Sequence, residues 1–345
     1  MTSADGHVLL VGSLGLPDAE AAFRLLGERI GDRATRYPDG EPGERGYWIR
    51  WQNAIFAGHG DLELIEARRI EGYKDTKTRP LYRLREGIDA KAFRIDRLGY
   101  ADAALASWEV FARLRAEGAV PAGTRFQVCL PSCAALLTSF FPGDQAALIE
   151  PALEGAMKRE VETMAAAIPA ADLAIQWDVA YEIVAHDGAQ PPLHYADALG
   201  GSVERLVRQI GWVPAGVEAG VHLCYGDPGH KHIVEPADLG TCVAFANGIA
   251  AQATRAVNWI HMPVPRGRSD DAYFAPLEGL KLRPETELYI GCIHHTDGAE
   301  GSRARLARAK HHAEGFGLAT ECGFGRRDPA TIPGLLDIHT ELSSG

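Results

Sequence analysis

The sequence predicts a single domain with the (β/α)8 TIM-barrel fold over residues 1–345. Eight short apolar segments alternate with helical patterns along the chain, which is typical of parallel strands covered on both faces by helices. Eight such units in a domain of this length favour a closed barrel over an open sheet. Neither an internal repeat nor a low-complexity linker divides the chain, so we predict one domain.

The predicted strands are near-continuous apolar runs that end in small or polar residues. Their approximate limits are 7–13, 34–37, 124–130, 172–178, the segment that contains His222, 256–261, 287–294 and 318–322. Apolar residues at helical spacing predict helices at 21–30, 100–117, 147–168, from 202 onwards, 238–254 and 302–314. Residues 45–99 show no clean alternation, so we predict an insertion after the second strand, with its basic residues on a solvated face. Those residues are Lys74, Lys77, Arg79, Arg83 and Arg85.

Composition excludes several classes of protein. The formal net charge of −11 argues against a general nucleic-acid binder. No apolar stretch approaches the length of a membrane span, and the N-terminus lacks the pattern of a signal peptide. Six cysteines in 345 residues are too sparse for a disulfide framework and fit a reducing compartment. We therefore expect a cytoplasmic enzyme with no nucleic-acid or membrane partner; its oligomeric state is open, a homodimer included.

The segment from Gly220 to Asp227 carries the first half of a predicted metal site. Alternate residues of a strand share a face, so His222 and Cys224 point to one spot. Cys322 follows the last predicted strand, and the C-terminal ends of barrel strands surround a single mouth. Because an imidazole and two thiolates are zinc ligands, these three side chains predict a zinc site.

The other predicted strand ends also carry polar groups, namely Ser13, Glu41, Asp178, His261 and His294. Burying a carboxylate such as Asp178 at the end of an apolar strand costs free energy unless the charge is paired, so we predict that Asp178 belongs to the site. Glu41 could equally be a turn residue, and the pair His294–His295 could belong to the site or to the surface.

Other side chains are predicted to lie outside the site or are left open. Arg266, in a Pro- and Gly-rich loop, is either a clamp for an anionic substrate group or a solvated side chain. The remaining cysteines are expected in the core: Cys129, Cys133, Cys242 and Cys292. Four histidines in polar or helical surroundings are expected at the surface: His230, His232, His311 and His312.

These motifs, in their order and spacing, resemble the catalytic barrel of cobalamin-independent methionine synthase, within the superfamily shared with uroporphyrinogen decarboxylase and zinc-dependent thiol alkyltransferases. The segments that carry the resemblance are Gly12-Ser13, Asp39-Gly-Glu-Pro-Gly-Glu-Arg45, the Asp178 strand, His222-Leu-Cys224-Tyr225 and Glu321-Cys-Gly-Phe-Gly-Arg326. The resemblance implies a zinc ion held by His222, Cys224 and Cys322, with a thiol substrate completing the coordination. His261 stands where the family has an acidic ligand, so the resemblance implies that it is a fourth ligand.

The same resemblance implies that homocysteine is bound through Ser13, Glu41 and Asp178. We therefore hypothesise a zinc-dependent methyltransferase that takes a small-molecule thiol and a methyl donor, with His294 moving a proton near the leaving group. One alternative is a metal-independent lyase of the uroporphyrinogen decarboxylase type, which gives the three metal-ligating residues no role. A second alternative is a non-catalytic zinc-binding protein, in which Glu41 and Asp178 have no role. The identities of the donor and the acceptor are open.

Overall fold

Eight of the strands in the described residues form one sheet that curves into a nearly closed parallel barrel. The computed structural model describes residues 2–69, 78–189, 192–226 and 232–343. The barrel strands are β1 (Val8–Leu9), β2 (Arg36–Pro38), β5 (Arg125–Pro131), β6 (Leu173–Val179), β7 (Glu218–Leu223), β8 (Trp259–Pro263), β9 (Glu287–Ile293) and β10 (Gly317–Thr320). The predicted TIM-barrel fold is confirmed.

Strand order brings the two ends of the chain together. The sheet runs β1-β10-β9-β8-β7-β6-β5-β2, and the backbone bond from Leu14 N–H to the Gly40 carbonyl, 2.9 Å, joins the segments that follow β1 and β2. The register pairs Asp178 with His222 and His222 with His261. Three of the predicted site residues therefore lie level in one row across three adjacent strands.

Helices cover the outside of the barrel. They are α1 (Ala19–Arg29), α2 (Gln52–Ala57), α3 (Tyr100–Ala116), α4 (Cys133–Phe140), α5 (Gly143–Ala167), α6 (Tyr181–His186), α7 (Gly200–Ile210), α8 (Gly240–Gln252), α9 (Asp271–Phe274), α10 (Gly298–His312) and α11 (Ile332–Ser343). Side-chain capping sets some of their starts: the Asp18 carboxylate accepts the Ala21 N–H, 2.8 Å, at the start of α1. The buried Glu160 carboxylate accepts three backbone N–H groups, those of Leu98, Gly99 and Ala101.

An antiparallel hairpin is inserted after β2. Its strands are β3 (Leu62–Arg69) and β4 (Thr78–Leu84), and it packs on α4 at the end of β5. The Tyr82 hydroxyl donates to the Asn53 side chain, 2.6 Å, which ties the hairpin to α2. The limits 45–99 for the insertion, and the assignment of the whole chain to one domain, stay predictions. Residues 70–77 lie outside the described part of the chain, and with them Lys74 and Lys77.

The lower half of the barrel interior is filled around Trp259. A Cβ atom on Gly220 would lie 2.0 Å from the indole, so only glycine leaves room for that ring. The Arg36 guanidinium lies 4.3 Å from the Trp259 ring centroid and pairs with Glu218, 2.5 Å, and Glu287, 2.9 Å. This packing closes the N-terminal end of the barrel and leaves the C-terminal end for chemistry.

Candidate metal centre

The structure brings His222, Cys224 and Cys322 together at the C-terminal mouth. His222 is on β7, and Cys224 follows that strand with its N–H bonded to the Val179 carbonyl, 2.9 Å. Cys322 comes two residues after β10. One potential ligand atom from each of the three lies within 4.8 Å of the other two. They form the one group of this kind among the residues that the structure describes.

The spacing of the two sulfurs fits a tetrahedral zinc ion. The Cys224 and Cys322 Sγ atoms are 3.8 Å apart. Two thiolates about 2.3 Å from one zinc with tetrahedral angles lie about 3.8 Å apart. A disulfide would need about 2.05 Å, so these sulfurs are not bonded to each other. The geometry and chemistry of the donor set therefore fit zinc.

His261 lies directly beside this cluster. Its Nδ1 is 2.7 Å from Nδ1 of His222, and its Nε2 is 3.0 Å from the Thr320 carbonyl oxygen. Both imidazoles are buried, and burial lowers the pKa of His261 to about 4 and that of His222 well below its usual value. His261 is not in the group of three whose ligand atoms lie within 4.8 Å. Its role as a fourth ligand stays a prediction.

Two carboxyl groups, those of the buried Asp178 and the half-buried Glu41, lie on the β2 and β6 side of the mouth. Burial raises the pKa of Asp178 to about 8, with the Cys322 thiol acting in the same direction and the hydrogen bond from Gln176, 2.9 Å, opposing it. Burial also raises the pKa of Glu41 well above its usual value, and the Asp178 and Asp39 charges add to that shift. The two halves of the site are therefore adjacent: Asp178 is close enough to both Glu41 and Cys322 to interact with their charges.

The backbone of Glu41 is itself unusual. Its φ of 49° lies in the left-handed region, where a residue with a side chain is strained. Its N–H donates to the Asp39 carboxylate, 2.9 Å, which Arg45 holds through a 2.6 Å ion pair. A Cβ on Gly12 would lie 3.9 Å from a Glu41 carboxyl oxygen, so this carboxyl faces the loop after β1.

Ser13 lies at the contact between the first and last loops of the barrel. Its Oγ accepts the Gly325 N–H, 3.2 Å, and its carbonyl accepts the Phe324 N–H, 2.8 Å. A Cβ on Gly323 would lie 2.5 Å from Ser13 Oγ, so the glycine next to Cys322 allows this close packing. The two loops therefore hold Ser13 near the Cys322 thiol.

His294 is buried at the end of β9. Its Nε2 donates to the Val264 carbonyl, 2.7 Å, and lies 3.8 Å from the Glu321 carboxylate. Burial, with the Arg305 charge, lowers its pKa to about 4, so the ring is neutral near pH 7. Arg266 is exposed on the loop after β8, and its carbonyl accepts a bond from the buried Arg305, 2.8 Å.

The structure places one of the expected surface histidines beside the site. His232, expected at the surface, has an 11% exposed side chain whose Nε2 is 2.7 Å from Glu321. Burial opposes charge on this ring, but the hydrogen bond to Glu321 raises its pKa to about 9. The signal that could have identified it, a loop histidine opposite a carboxylate 89 residues later, is not local.

Three buried cysteines, Cys133, Cys242 and Cys292, match the predicted core positions, and Cys129 is half-buried.

The other expected surface residues behave differently from one another. His311 has a 61% exposed side chain, whereas the His312 side chain is 12% exposed and pairs with Glu278. His230 lies outside the described residues. Arg83 and Arg85 are solvated, but Arg79 is not: it donates to the Ser139 carbonyl, 2.7 Å, and to the Tyr181 hydroxyl, 2.7 Å.

The Arg79 contact connects the hairpin to the site. The Tyr181 ring stacks on Trp48 with centroids 6.0 Å apart and planes 9° from parallel. The Trp48 indole in turn lies close enough to Asp178 to lower the pKa of its carboxyl, against the effect of burial. Like Glu41, Trp48 has a left-handed backbone, with φ of 58°. The inserted hairpin therefore supports one wall of the carboxylate pocket.

No helix in the described ranges has the length and apolarity needed to cross a membrane. No protein-family model and no curated protein matches the chain.

Solved structures, by contrast, match over nearly the whole chain. A B12-independent methionine synthase from Shewanella sp., in complex with selenomethionine, has a TM-score of 0.59 at 14% identity, with 97% of each chain covered. A putative vitamin-B12-independent methionine synthase from Listeria monocytogenes has a TM-score of 0.53 at 13% identity, over 94% of this chain and 86% of that one. A methyltransferase from Methanosarcina mazei has a TM-score of 0.55 at 13% identity, over 99% and 93%. This chain therefore shares the fold of B12-independent methionine synthases and of a methyltransferase.

Proposed function

We propose that this protein is a zinc-dependent methyltransferase that alkylates the sulfur of a small thiol such as homocysteine. One observation carries the proposal: two thiols 3.8 Å apart, with an imidazole, lie beside two carboxyl groups in the same mouth, those of the buried Asp178 and the half-buried Glu41. The names of the structural neighbours support it, because two are methionine synthases and one is a methyltransferase.

The residues that would hold zinc are His222, Cys224 and Cys322. A free thiol has a pKa of roughly 8.5 and is mostly protonated at neutral pH. When bound, zinc supplies the positive charge that deprotonates a coordinating thiol and leaves its sulfur nucleophilic. Three protein ligands leave one tetrahedral position for a substrate, as in other catalytic zinc sites.

Glu41 and Asp178 would bind the ammonium group of an amino-acid thiol. Without a cation, both carboxyls favour the protonated form, because burial raises both pKa values and the Asp178 charge adds to the shift of Glu41. An ammonium ion placed between them would offset the repulsion and favour ionisation. Ser13, which lies against the loop that contains Cys322, would contact the same end of the substrate. The selenomethionine in the Shewanella structure is not a thiol, but it carries the same amino-acid ammonium group.

His294 would handle a proton near the leaving group of the methyl donor. Because its Nε2 donates to the Val264 carbonyl, its Nδ1 carries the lone pair in the neutral ring. Because the pKa of His294 is lowered to about 4, that lone pair is unprotonated at neutral pH, and a proton that it takes up would be passed on at once. Arg266, exposed on the neighbouring loop, would attract an anionic part of the donor from the rim of the mouth.

The direct test is methyl transfer by the zinc-loaded protein. Homocysteine and other small thiols are incubated with donors of four classes, namely methyltetrahydrofolate, methylcobalamin, S-methyl sulfonium compounds and methoxy compounds, and the methyl thioether is measured by mass spectrometry. We expect product with one donor class, loss of turnover with retention of zinc in Asp178→Asn, and normal turnover in Asp144→Asn, which changes an exposed carboxylate. Folded, zinc-loaded protein that alkylates no thiol with any of these donors would contradict the proposal.

A further inference from the structure

We propose that His261 is a positioning residue of the metal centre: it orients His222 toward the ion and ties β7 to β10. This inference rests on the zinc site of the proposed function and gives His261 a role other than that of a fourth ligand.

The hydrogen bonds of His261 fix the role of each ring nitrogen. Its Nε2 is 3.0 Å from the Thr320 carbonyl oxygen, and a carbonyl can only accept, so Nε2 carries the proton. In the neutral ring the lone pair is then on Nδ1, which lies 2.7 Å from Nδ1 of His222. His222 must donate that bond, and its own lone pair is therefore on Nε2, the nitrogen left for a metal.

Burial favours this neutral arrangement. His261 is 0% and His222 is 3% exposed. An imidazolium at either position would be a charge removed from water, which is costly unless it is paired. The chain of two hydrogen bonds therefore holds His222 in the one tautomer that can bind zinc through Nε2. Metal-ligating histidines commonly donate their second N–H in this way, which fixes the orientation of the ring.

The same chain connects both strands that supply the ligands. Thr320 ends β10, and its Oγ1 donates to the carbonyl of Cys322, 2.8 Å. His261 therefore bonds to the backbone that delivers Cys322 and to the ring that delivers the nitrogen ligand. Displacing His261 would therefore free both the His222 ring and the backbone next to Cys322 to move.

Gly291 is an independent sign of this arrangement. It lies on β9, the strand between His261 and Thr320, and an added Cβ would be 3.0 Å from His261 Nε2 and 2.9 Å from both the Thr320 oxygen and the Glu321 Cα. A side chain at this position would therefore enter the hydrogen bond itself. The glycine leaves the space that the bond crosses.

In the proposed arrangement His261 is not a fourth ligand. Both of its nitrogens are committed, one to the Thr320 carbonyl and the other to His222. Among the described residues, the ligand atoms within 4.8 Å of one another come from His222, Cys224 and Cys322. The fourth position is thereby kept for the thiol.

The experiment measures zinc affinity by competition with a chelator, and ligand number by X-ray absorption of the cobalt(II)-loaded protein. The variants are His261→Ala and Gly291→Ala. The control is His339→Ala, which removes another fully buried histidine bonded to a backbone carbonyl, on α11. Gly291→Ala keeps both imidazoles and carries the test if His261→Ala fails to fold.

We expect zinc to bind about 10–100-fold more weakly in both variants, with one metal–nitrogen bond in wild type and variants alike, and unchanged affinity in the control. Unchanged zinc affinity in both variants, or loss of a metal–nitrogen bond in His261→Ala, would overturn this inference and leave the proposed function standing. A wild-type protein that binds no zinc would overturn the proposed function and, with it, the inference.

Discussion

Replacing Asp178 by asparagine should make the protein more stable and, at the same time, inactive. Asparagine has nearly the same shape as aspartate and can still accept the hydrogen bond that Gln176 donates to Oδ1. It cannot ionise. The substitution therefore isolates the energetic cost of placing a titratable carboxyl in the buried mouth.

The size of the effect follows from the pKa of Asp178, which burial raises from 3.8 to about 8. A carboxyl whose pKa is higher in the folded than in the unfolded state contributes stability that is complete below about pH 4 and is lost as the pH rises toward 8. At pH 7 the unfolded chain has lost this proton and the folded chain has kept it. Three pH units at 1.36 kcal/mol each correspond to about 4 kcal/mol.

The assay is urea unfolding of wild type and Asp178→Asn, at equal zinc occupancy, at one-unit steps from pH 4 to pH 9. The variant should gain over wild type by up to about 1.4 kcal/mol per pH unit between pH 5 and 7, and the gain should level off above pH 8. Zinc content should be unchanged, and methyl transfer should be lost because an amide cannot neutralise the substrate ammonium.

Two results would refute this reasoning. Unfolding free energies that run parallel across the pH range would show that the folded protein does not hold Asp178 protonated. Unchanged turnover in the variant would show that Asp178 does not bind the ammonium group, whatever its pKa.

Two further substitutions test the hairpin contact and the packing of the barrel interior. Arg79→Ala removes the donor to Tyr181, so it should cost about 1–3 kcal/mol of unfolding free energy and raise KM more than it lowers kcat. The control Arg83→Ala changes a side chain that is 54% exposed and should alter the unfolding free energy by no more than about 0.5 kcal/mol. Gly220→Ala places a methyl 2.0 Å from the Trp259 ring and should cost about 3 kcal/mol or more, measured by thermal unfolding with tryptophan fluorescence. Equal effects of the two arginine changes, or an unaffected Gly220→Ala, would contradict these contacts.

The sequence predicted the barrel because its strands are buried on both faces. Strand β6 was expected at 172–178 and lies at Leu173–Val179, wholly buried. Helix α4 was missed for a related reason: all eight of its residues are buried, so it has no polar face and no helical period. The hairpin was missed because Leu64 and Ile65 of β3 are both exposed and the pairing of the strand shifts between Leu64 and Glu66, so the sequence shows no alternation there.

The site residues could be predicted where strand alternation or strand order places them. His222 and Cys224 share a strand face, and Cys322 follows the strand that closes the barrel, so alternation and topology bring them together. The roles of His232 and Arg79 depend instead on partners 89 and 102 residues away, Glu321 and Tyr181. Only the packed fold specifies such pairs, because nothing in the surrounding sequence marks one partner for the other.

The most direct test of the metal centre is the zinc content of protein purified without chelator, measured for wild type, Cys322→Ala and Cys133→Ala. Cys133 is buried at the start of α4 and lies outside the cluster, so its replacement is the matched control. We predict about one zinc per chain in wild type and in the control, and its loss in Cys322→Ala. No stoichiometric zinc in wild type, even after zinc is added back, would contradict the proposed metal centre and the thiol chemistry built on it.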